Sequence, residues 1–366
     1  MSGSRDLAFM EMAYALAEKA RGRASPNPLV GSVIVRNGVI VGTGYHREAG
    51  TPHAEVLALR QAGRRARGAT IYITLEPCVH WGRTPPCVDT LLRSGLRRAV
   101  ISASDPNPLV DRRGIARLRR SGMEVCCGLL KEKNARMNEA YAKYITRKTP
   151  FVTLKAALSL DGKIACRTRD SRWISAGRTR EYVHLLRGEH DALLVGINTL
   201  IEDDPLLTVR HPNWGDKKIT RVVLDSGLRF PLRAKILSSL ESGRIIVFAR
   251  TGAPLRKAEA LARLGVEVVL LGDPRRTPSL GSVLAELGRR EIASLLVEGG
   301  GRILTAFIEG KFADKLVLTL TPKLIGGLEA PGFYGGAGAG RIAEALRIRE
   351  TRHFRLDEDI ILEGYF

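Results

Sequence analysis

Three short stretches in the first hundred residues carry ligand-type side chains at spacings that suit a metal. His53-Ala54-Glu55 is followed, after one apolar run, by Glu76-Pro77-Cys78 and then by Pro86-Cys87. One imidazole and two thiolates fill three positions of a tetrahedral zinc ion and leave the fourth for water, the arrangement of a catalytic rather than a structural centre. Zinc lowers the pKa of its water towards 7. A carboxylate that does not bind the metal, here Glu55, is then free to take a proton and pass it to a leaving amine.

The elements that must hold these groups are readable around them. Thr51 and Pro52 suit the N-cap and first position of a helix, which puts His53 and Glu55 in its opening turn. Residues two apart do not share a helix face, so one ligand and one acid/base group is the natural division of labour. Pro85 and Pro86 mark the start of a second helix, whose positive end favours the thiolate of Cys87. An ordinary helix start beside buried cysteines accounts for His-x-Glu alone. Pro-Cys after the following strand shifts the balance to the metal.

A second candidate site lies near residue 300. Ser294-Leu295-Leu296-Val297-Glu298 reads as a buried strand running into Gly299-Gly300-Gly301, and a helix follows from Arg302. Bare backbone N–H groups at a helix N-terminus suit a pyrophosphate, although a tight strand-to-helix turn has the same sequence. Residues 148–366 contain no Gly-x-Gly-x-x-Gly after a strand, so a Rossmann fingerprint is absent.

The 366 residues are 44% hydrophobic and 26% charged, a composition that excludes disordered and fibrous chains and suits two ordinary globular domains. Lys and Arg number 58 against 38 Asp and Glu, a net charge of +20 that points to an anionic partner. Residues 1–147 carry +12 of it and residues 148–366 the remaining +8, so there is no basic tail. Local clusters such as Arg60, Arg64, Arg65 and Arg67 read as solvated helix faces. The N-terminal stretch is an amphipathic helix rather than a signal peptide, and no apolar run approaches the roughly 20 residues of a membrane span. Five cysteines without a framework spacing indicate a reducing compartment, so the expected location is the cytoplasm.

In the first half, two β-branched runs joined by Asn37-Gly38 predict a hairpin, and alternating helices and strands follow to about residue 127. A basic helical stretch, 131–148, ends before Pro150, which places a boundary between domains 1–147 and 148–366. Beyond it the alternation restarts with strands at FVTLKAALS, HDALLVG, ITRVVLD, RIIVFA, VEVVLL, IASLLVEGG and DKLVLTLTP, and helices at 178–188, 256–264, 282–290 and 302–309. Both halves are therefore α/β.

His53-Ala54-Glu55 with Pro77-Cys78 resembles the cytidine-deaminase-like superfamily, whose general signature closes with Cys-x-x-Cys. Here eight residues separate Cys78 from Cys87. The segment from Thr74 to Cys87, ending Gly82-Arg83-Thr84-Pro85-Pro86-Cys87, is instead similar to the riboflavin-biosynthesis pyrimidine deaminases, as are Ser25-Pro26-Asn27-Pro28-Leu29-Val30-Gly31 and Asp105-Pro106-Asn107-Pro108. The resemblance implies an N-terminal cytidine-deaminase-like α/β/α sandwich with zinc on His53, Cys78 and Cys87, and Glu55 as proton shuttle. The implied substrate is a phosphoribosylated diaminopyrimidinone. Asn27 is either a pyrimidine contact or a turn residue between prolines. His80 and Arg83 either meet the substrate phosphate or stand in solvent. Around Asp111-Arg112-Arg113-Gly114 the sequence is poorer in glycine than that family.

In the second half, Lys155 to Ala165, Ser171-Arg172-Trp173-Ile174-Ser175, Asn198-Thr199 and Asp203 to Arg210 together resemble the riboflavin-pathway reductases. That resemblance implies a dihydrofolate-reductase-like α/β domain using NADPH. Ala157, Trp173, Thr199, Asp203, Ser226 and the run Gly299, Gly300, Gly301, Arg302, Ile303, Leu304 and Thr305 would line the cofactor. Ser171, Arg187, Leu207, Arg210 and Glu298 would hold the substrate, with the two arginines as phosphate partners. The implied reaction is hydride transfer to the anomeric carbon of the phosphoribosylamino group. The general acid stays open among Lys155, Asp203 and Glu298.

The whole chain thus reads as a deaminase fused to a reductase, acting on a phosphoribosylated pyrimidine, with no nucleic-acid or membrane partner and with a homo-oligomer expected through the second domain. Two competing readings are a deaminase acting on a flipped nucleic-acid base, which the charge favours and the cysteine spacing does not, and a structural-zinc protein without activity.

Overall fold

The computed structural model describes residues 2–81, 85–215 and 217–366. The chain divides into two compact units, Met1–Lys148 and Thr149–Phe366.

Unit 1 begins with α1 (Ser2–Glu18), the hairpin β1 (Gly31–Arg36) and β2 (Val39–Tyr45), and α2 (Ala54–Ala62). It continues with β3 (Thr70–Ile73), α3 (Cys87–Arg93), β4 (Arg98–Ile101), α4 (Arg113–Arg120), β5 (Glu124–Cys127), α5 (Lys131–Met137) and α6 (Glu139–Arg147). The sheet order is β2-β1-β3-β4-β5, antiparallel through β3 and parallel after it. Alternation along each strand splits the core into two layers. Ile71, Ile73 and Ile101 face Ala58, Val88, Leu91 and Leu118 of α2, α3 and α4, while Tyr72 and Val100 face Met10, Ala13, Tyr14 and Ala17 of α1. The result is an α/β/α sandwich.

One close approach fixes α2 on this sheet. A Cβ on Gly42 or Gly44 of β2 would come within 2.2 Å of the backbone carbonyl oxygens of Ala58 and Ala54. Only glycine admits the helix at this distance, and the helix carries Glu55 in its first turn.

Unit 2 contains β6 (Phe151–Ser159), α7 (Gly177–Glu189), β7 (Ala192–Gly196), α8 (Ile197–Asp203), β8 (Thr220–Leu224), β9 (Ile245–Arg250) and α9 (Leu255–Arg263). Then come β10 (Val266–Leu271), α10 (Leu280–Arg289), β11 (Ser294–Val297), α11 (Gly301–Glu309), β12 (Lys315–Thr321), β13 (Arg349–Leu356) and β14 (Asp359–Tyr365). Its nine-stranded sheet runs β10-β9-β8-β7-β11-β6-β12-β14-β13, with β14 antiparallel to β12 and to β13 and the remaining pairs parallel. Leu193, Val195, Val223 and Val247 pack on one face with Leu186 and Leu261; Leu194, Val222, Ile246 and Leu295 pack on the other with Leu287, Leu304 and Phe307.

Two of these strands and one helix are absent from the sequence reading. β13 is exposed along most of its length and reads as charged, without an apolar alternation to mark it. The hairpin nevertheless anchors α7: Asp359 accepts from the backbone N–H of Ala176 at 2.8 Å and Asp357 from that of Arg178 at 3.3 Å. These carboxylates supply the acceptors that a helix N-terminus lacks internally.

Candidate functional sites

In unit 1 the side chains of His53, Cys78 and Cys87 converge at the N-terminal ends of α2 and α3. One ligand atom from each lies within 4.8 Å of the others. His53 Nδ1 is 3.0 Å from Cys87 Sγ and 3.6 Å from Cys78 Sγ, separations that suit one ion held at about 2.0–2.3 Å from each donor. Cys78 Sγ also accepts from the backbone N–H of Cys87 at 3.3 Å. The Cys87 thiol, this N–H and His53 favour the Cys78 thiolate, which pushes Cys87 up because a second thiolate alongside would repel the first. A cation is what would allow both to ionise, so the donor set fits zinc.

Glu55 is 3% exposed and stands outside this ligand group. Burial raises its pKa, suiting a carboxyl that takes up and returns a proton. The helix start differs from the expectation in detail: His53 itself is the N-cap residue, and the Thr51 hydroxyl donates to the Glu48 carbonyl at 2.7 Å instead of capping α2.

The surrounding residues include two that sequence reasoning missed. Buried His46, at the end of β2, stands edge-on to His53 with ring centroids 5.1 Å apart, and its Nε2 accepts from Asn27 Nδ2 at 3.0 Å. Burial, then the neighbouring His53, keep this imidazole neutral down to about 4. Asn27 is thereby linked through His46 to His53. Glu76, also buried, accepts from the backbone N–H groups of Asp105, Arg112 and Ile115 at 3.1, 2.9 and 3.0 Å. One carboxylate so pins the loop from Asp105 to the start of α4 beside Cys78. The only sequence signal for Glu76 is its place within Glu-Pro-Cys. His80 is half-buried, whereas Arg83 lies outside the described residues.

In unit 2 the candidate residues gather at the carboxyl ends of the parallel strands, where open α/β sheets bind ligands. Arg187 of α7 and Glu298, which follows β11, form a bidentate ion pair at 2.7 and 2.8 Å, each side chain 13% exposed. Burial alone would raise Glu298, yet the Arg187 guanidinium and Lys155 hold it at about 2. Burial depresses Lys155 of β6, and Glu298 partly offsets this. Arg187 also donates to the Thr208 carbonyl at 3.1 Å, and Arg210 to the Thr208 hydroxyl at 3.0 Å. Leu207, buried with a φ of 54°, turns the chain between Asp203 and this pair. Lys155, Arg187 and Arg210 set against the carboxylate of Glu298 leave the cluster positive and suited to an anion.

The glycine turn lies after β11. Gly300 is the N-cap of α11 and faces open space, so an approaching group meets bare backbone there. A Cβ on Gly301 would lie 2.3 Å from the Gly332 carbonyl oxygen, and Thr305 Oγ1 accepts from the Gly335 N–H at 2.9 Å. Arg302 is exposed, Ile303 half-buried and Leu304 buried. Ile303 also reaches β7, since a Cβ on Gly196 would meet it at 2.9 Å; this sets the start of α8, with Thr199, beside the glycine turn. A turn open over Gly300 at a helix N-terminus fits the pyrophosphate of a dinucleotide.

The other proposed cofactor and substrate positions are more dispersed. Ala157 of β6 pairs in register with Thr319. The Asp203 carbonyl accepts from Arg172, and burial raises the Asp203 carboxyl. Trp173 is exposed, with the Arg180 guanidinium 4.8 Å from its ring and its carbonyl accepting from Lys323 at 2.8 Å. The Ser171 carbonyl accepts from Ile174 N–H at 3.2 Å, and that of Ser226 from Arg250 N–H at 3.2 Å. His184, next to Arg210, is a third residue that sequence reasoning missed.

Comparison with known proteins assigns both units. Residues 4–103 match the cytidine and deoxycytidylate deaminase zinc-binding region, and residues 150–362 match the RibD C-terminal domain. Riboflavin biosynthesis protein RibD of Aquifex aeolicus is 44% identical over 98% of this chain and 97% of its own length, and that of Escherichia coli 37% identical over 98% and 100%. Among solved structures, RibD of Acinetobacter baumannii superposes with a TM-score of 0.87 at 35% identity, covering 99% of each chain. A Thermotoga maritima protein described as a diaminohydroxyphosphoribosylaminopyrimidine deaminase/5-amino-6-(5-phosphoribosylamino)uracil reductase gives 0.87 at 34% identity, covering 100% of this chain and 99% of its own. With a zinc-type ligand set in one unit and a glycine turn beside a cationic cluster in the other, the chain belongs to the riboflavin biosynthesis protein RibD family of bifunctional deaminases and reductases.

Proposed function

We propose that unit 1 hydrolytically deaminates 2,5-diamino-6-hydroxy-4-(5-phosphoribosylamino)pyrimidine and that unit 2 reduces the ribosyl group of the resulting 5-amino-6-(5-phosphoribosylamino)uracil to the ribitylamino product. The observation that carries this reading is the pairing of His53, Cys78 and Cys87 with a buried carboxyl that is not part of the ligand group.

In unit 1, His53, Cys78 and Cys87 hold zinc, which when bound supplies the Lewis acidity that makes water nucleophilic near neutral pH. Glu55 takes the proton of the attacking water and returns it to the departing amine, and its burial-raised pKa suits both transfers. Asn27, oriented by His46, contacts the pyrimidine. Glu76 holds the wall from Asp105 to Ile115 in place through three backbone bonds.

In unit 2, Gly299 to Thr305 and Ala157, Trp173, Thr199, Asp203 and Ser226 hold NADPH, which supplies the hydride. Arg210 meets the substrate phosphate. The Arg187–Glu298 pair, Ser171 and Leu207 shape the pocket around the ribosyl group. The proton needed when the sugar ring opens comes from Lys155, Asp203 or Glu298; the low pKa of Glu298 counts against it, whereas the depressed Lys155 and the raised Asp203 are better placed to exchange protons.

This reading assigns the basic excess to phosphate ligands rather than nucleic acid. It also includes a homo-oligomer formed through unit 2, supported by the exposed edge strand β13 and by exposed Leu324, Leu328, Ile342 and Leu346 ahead of it. Sedimentation of the parent as a monomer would overturn that part. A cytoplasmic location is supported by five cysteines that form no disulfide; no helix among the described residues is long and apolar enough to cross a membrane.

The decisive experiment gives the zinc-loaded protein the diaminopyrimidine phosphate with and without NADPH and follows the products by mass. Without NADPH the reaction should stop after one amino group is exchanged for oxygen; with it, the product should gain two hydrogens. NADPH oxidation that proceeds equally well with dihydrofolate would overturn the substrate assignment.

A further inference from the structure

Arg210 is exposed, and among the described residues no carboxylate pairs with it. Its side chain has many rotamers, and ordering it costs entropy unless something holds it. The groups that meet it are Thr208 Oγ1, which accepts from Nη1 at 3.0 Å, and the ring of His184 on α7. That ring faces Arg210 twice: Nδ1 is 3.2 Å from the Arg210 backbone N–H nitrogen, and Nε2 is 3.2 Å from Nη2.

Both facing groups are donors, so the chemistry of the ring is constrained. A neutral imidazole offers one lone pair and an imidazolium offers none. Burial, then the charges of Arg187 and Arg210, hold His184 at about 4, with Glu298 acting weakly in the opposite sense. The ring is therefore neutral at physiological pH and has one lone pair, which Nδ1 uses to accept from the Arg210 backbone N–H, while Nε2 packs against Nη2. A carboxylate at this position would pair with the guanidinium itself and cancel its charge, and with it the attraction for an anion. A neutral acceptor restrains the arginine and leaves its charge for the ligand.

We infer that His184 is a positioning residue for anion recognition, fixing Arg210 so that its undischarged guanidinium receives the phosphate monoester of the reductase substrate. The inference rests on the reading that Arg210 meets that phosphate. It places the control of phosphate affinity on α7, the helix whose N-terminus is anchored by Asp357 and Asp359.

The test compares steady-state reduction of 5-amino-6-(5-phosphoribosylamino)uracil and of its dephosphorylated counterpart by the full-length protein and four variants. His184→Leu should raise KM for the phosphorylated substrate about tenfold and leave kcat within about twofold, the loss of one charge-assisted contact. His184→Gln, which keeps a neutral acceptor, should recover part of the loss, whereas His184→Glu should raise KM at least as far as His184→Leu by discharging Arg210. The dephosphorylated substrate should not distinguish these variants from the parent. Arg210→Gln is the arm that separates the two claims. If it raises KM for the phosphorylated substrate while His184→Leu does not, the role of His184 is overturned and the reading of Arg210 stands; if Arg210→Gln leaves that KM unchanged, the phosphate reading itself fails. A His184→Leu variant that loses activity equally on both substrates, or unfolds at lower temperature without a selective KM effect, would mark the residue as merely structural and overturn the inference.

Discussion

The two sites are built in contrasting ways. In unit 1 the candidate reactive groups come from two helix starts and the loop after β3, between residues 53 and 87, and their donor atoms lie within 4.8 Å of one another. In unit 2 the proposed site residues come from β6, α7, the loop after α8, and β11 with its glycine turn, and sequence separations exceed a hundred residues, as in the pairing of Arg187 with Glu298. A metal demands a fixed number of donors at fixed lengths, so its ligand set appears as a local pattern. A dinucleotide and a sugar phosphate are long, so their contacts are spread over every strand end they cross. Local sites can be recognised from spacing, and distributed ones from the joint order of several weak segments.

Breaking the shuttle without touching the metal gives the largest expected effect. Glu55→Gln should lower ammonia release by about 10²–10⁴-fold. Zinc content measured by atomic absorption should be unchanged, and reduction of the deaminated compound should continue at the parental rate. Loss of zinc in this variant would remove Glu55 from the non-ligand role.

The matching disruption in unit 2 is Arg187→Met. It leaves the Glu298 carboxylate buried without its partner, which costs about 3–5 kcal/mol of stability. Reduction should be abolished while deamination persists, and chemical unfolding should show the transition of unit 2 moving alone. If deamination fell in parallel, the two sites would not be the separable constructions described above.

A smaller effect is expected from the sheet beneath the zinc site. Gly44→Ala drives a methyl group into the Ala54 carbonyl and forces α2 away from β2, for about 1–3 kcal/mol of overpacking. Because His53 and Glu55 travel with α2, zinc affinity should fall by about 10-fold, measurable by competition with a chromophoric chelator. The equivalent crowding at Gly301, against Gly332, should weaken NADPH binding and spare zinc.

Acid should produce the gentlest separation. Buried His190 of unit 2 is held at about 4, below its ordinary 6.5, chiefly by burial, so its contribution to stability is complete above pH 6.5 and is lost as pH falls towards 4. Glu298, lowered from 4.5 to about 2, contributes fully above 4.5 and loses this as pH falls towards 2. The unfolding midpoint of unit 2 should therefore begin to drop below pH 6.5 and fall further below 4.5. His184, also held at about 4, titrates in the same window, so His190→Gln should shrink the first phase by part and leave the second unchanged.

Much of this architecture was legible in the residues. The strands from 151 to 321 declared themselves as β-branched runs, and the Asn37-Gly38 turn marked the first hairpin, because buried strands must be apolar and tight turns need permissive residues. The C-terminal hairpin was not legible: edge strand β13 is exposed and carries the charged sequence Arg-Glu-Thr-Arg-His-Phe-Arg-Leu. Helix α8, seven residues long, is too short to show a period. The start of α2 was displaced by two residues because the Thr51 hydroxyl found a nearer carbonyl at Glu48. His46, Glu76 and His184 escaped notice because each acts by holding something distant in sequence, and such partners leave no local spacing.

The anchoring of α7 by the β13–β14 turn bears on the order in which the protein comes into being. Residues 1–148 hold His53, Cys78 and Cys87, the three ligands proposed for zinc, so unit 1 has its full complement of these groups once they have left the ribosome. Unit 2 has no such early point. Arg187 and His184 are made early in unit 2, but the carboxylates of Asp357 and Asp359 that steady their helix are synthesised about 170 residues later. During synthesis the first enzyme of the pair can be finished while the second is still waiting for the β13–β14 hairpin.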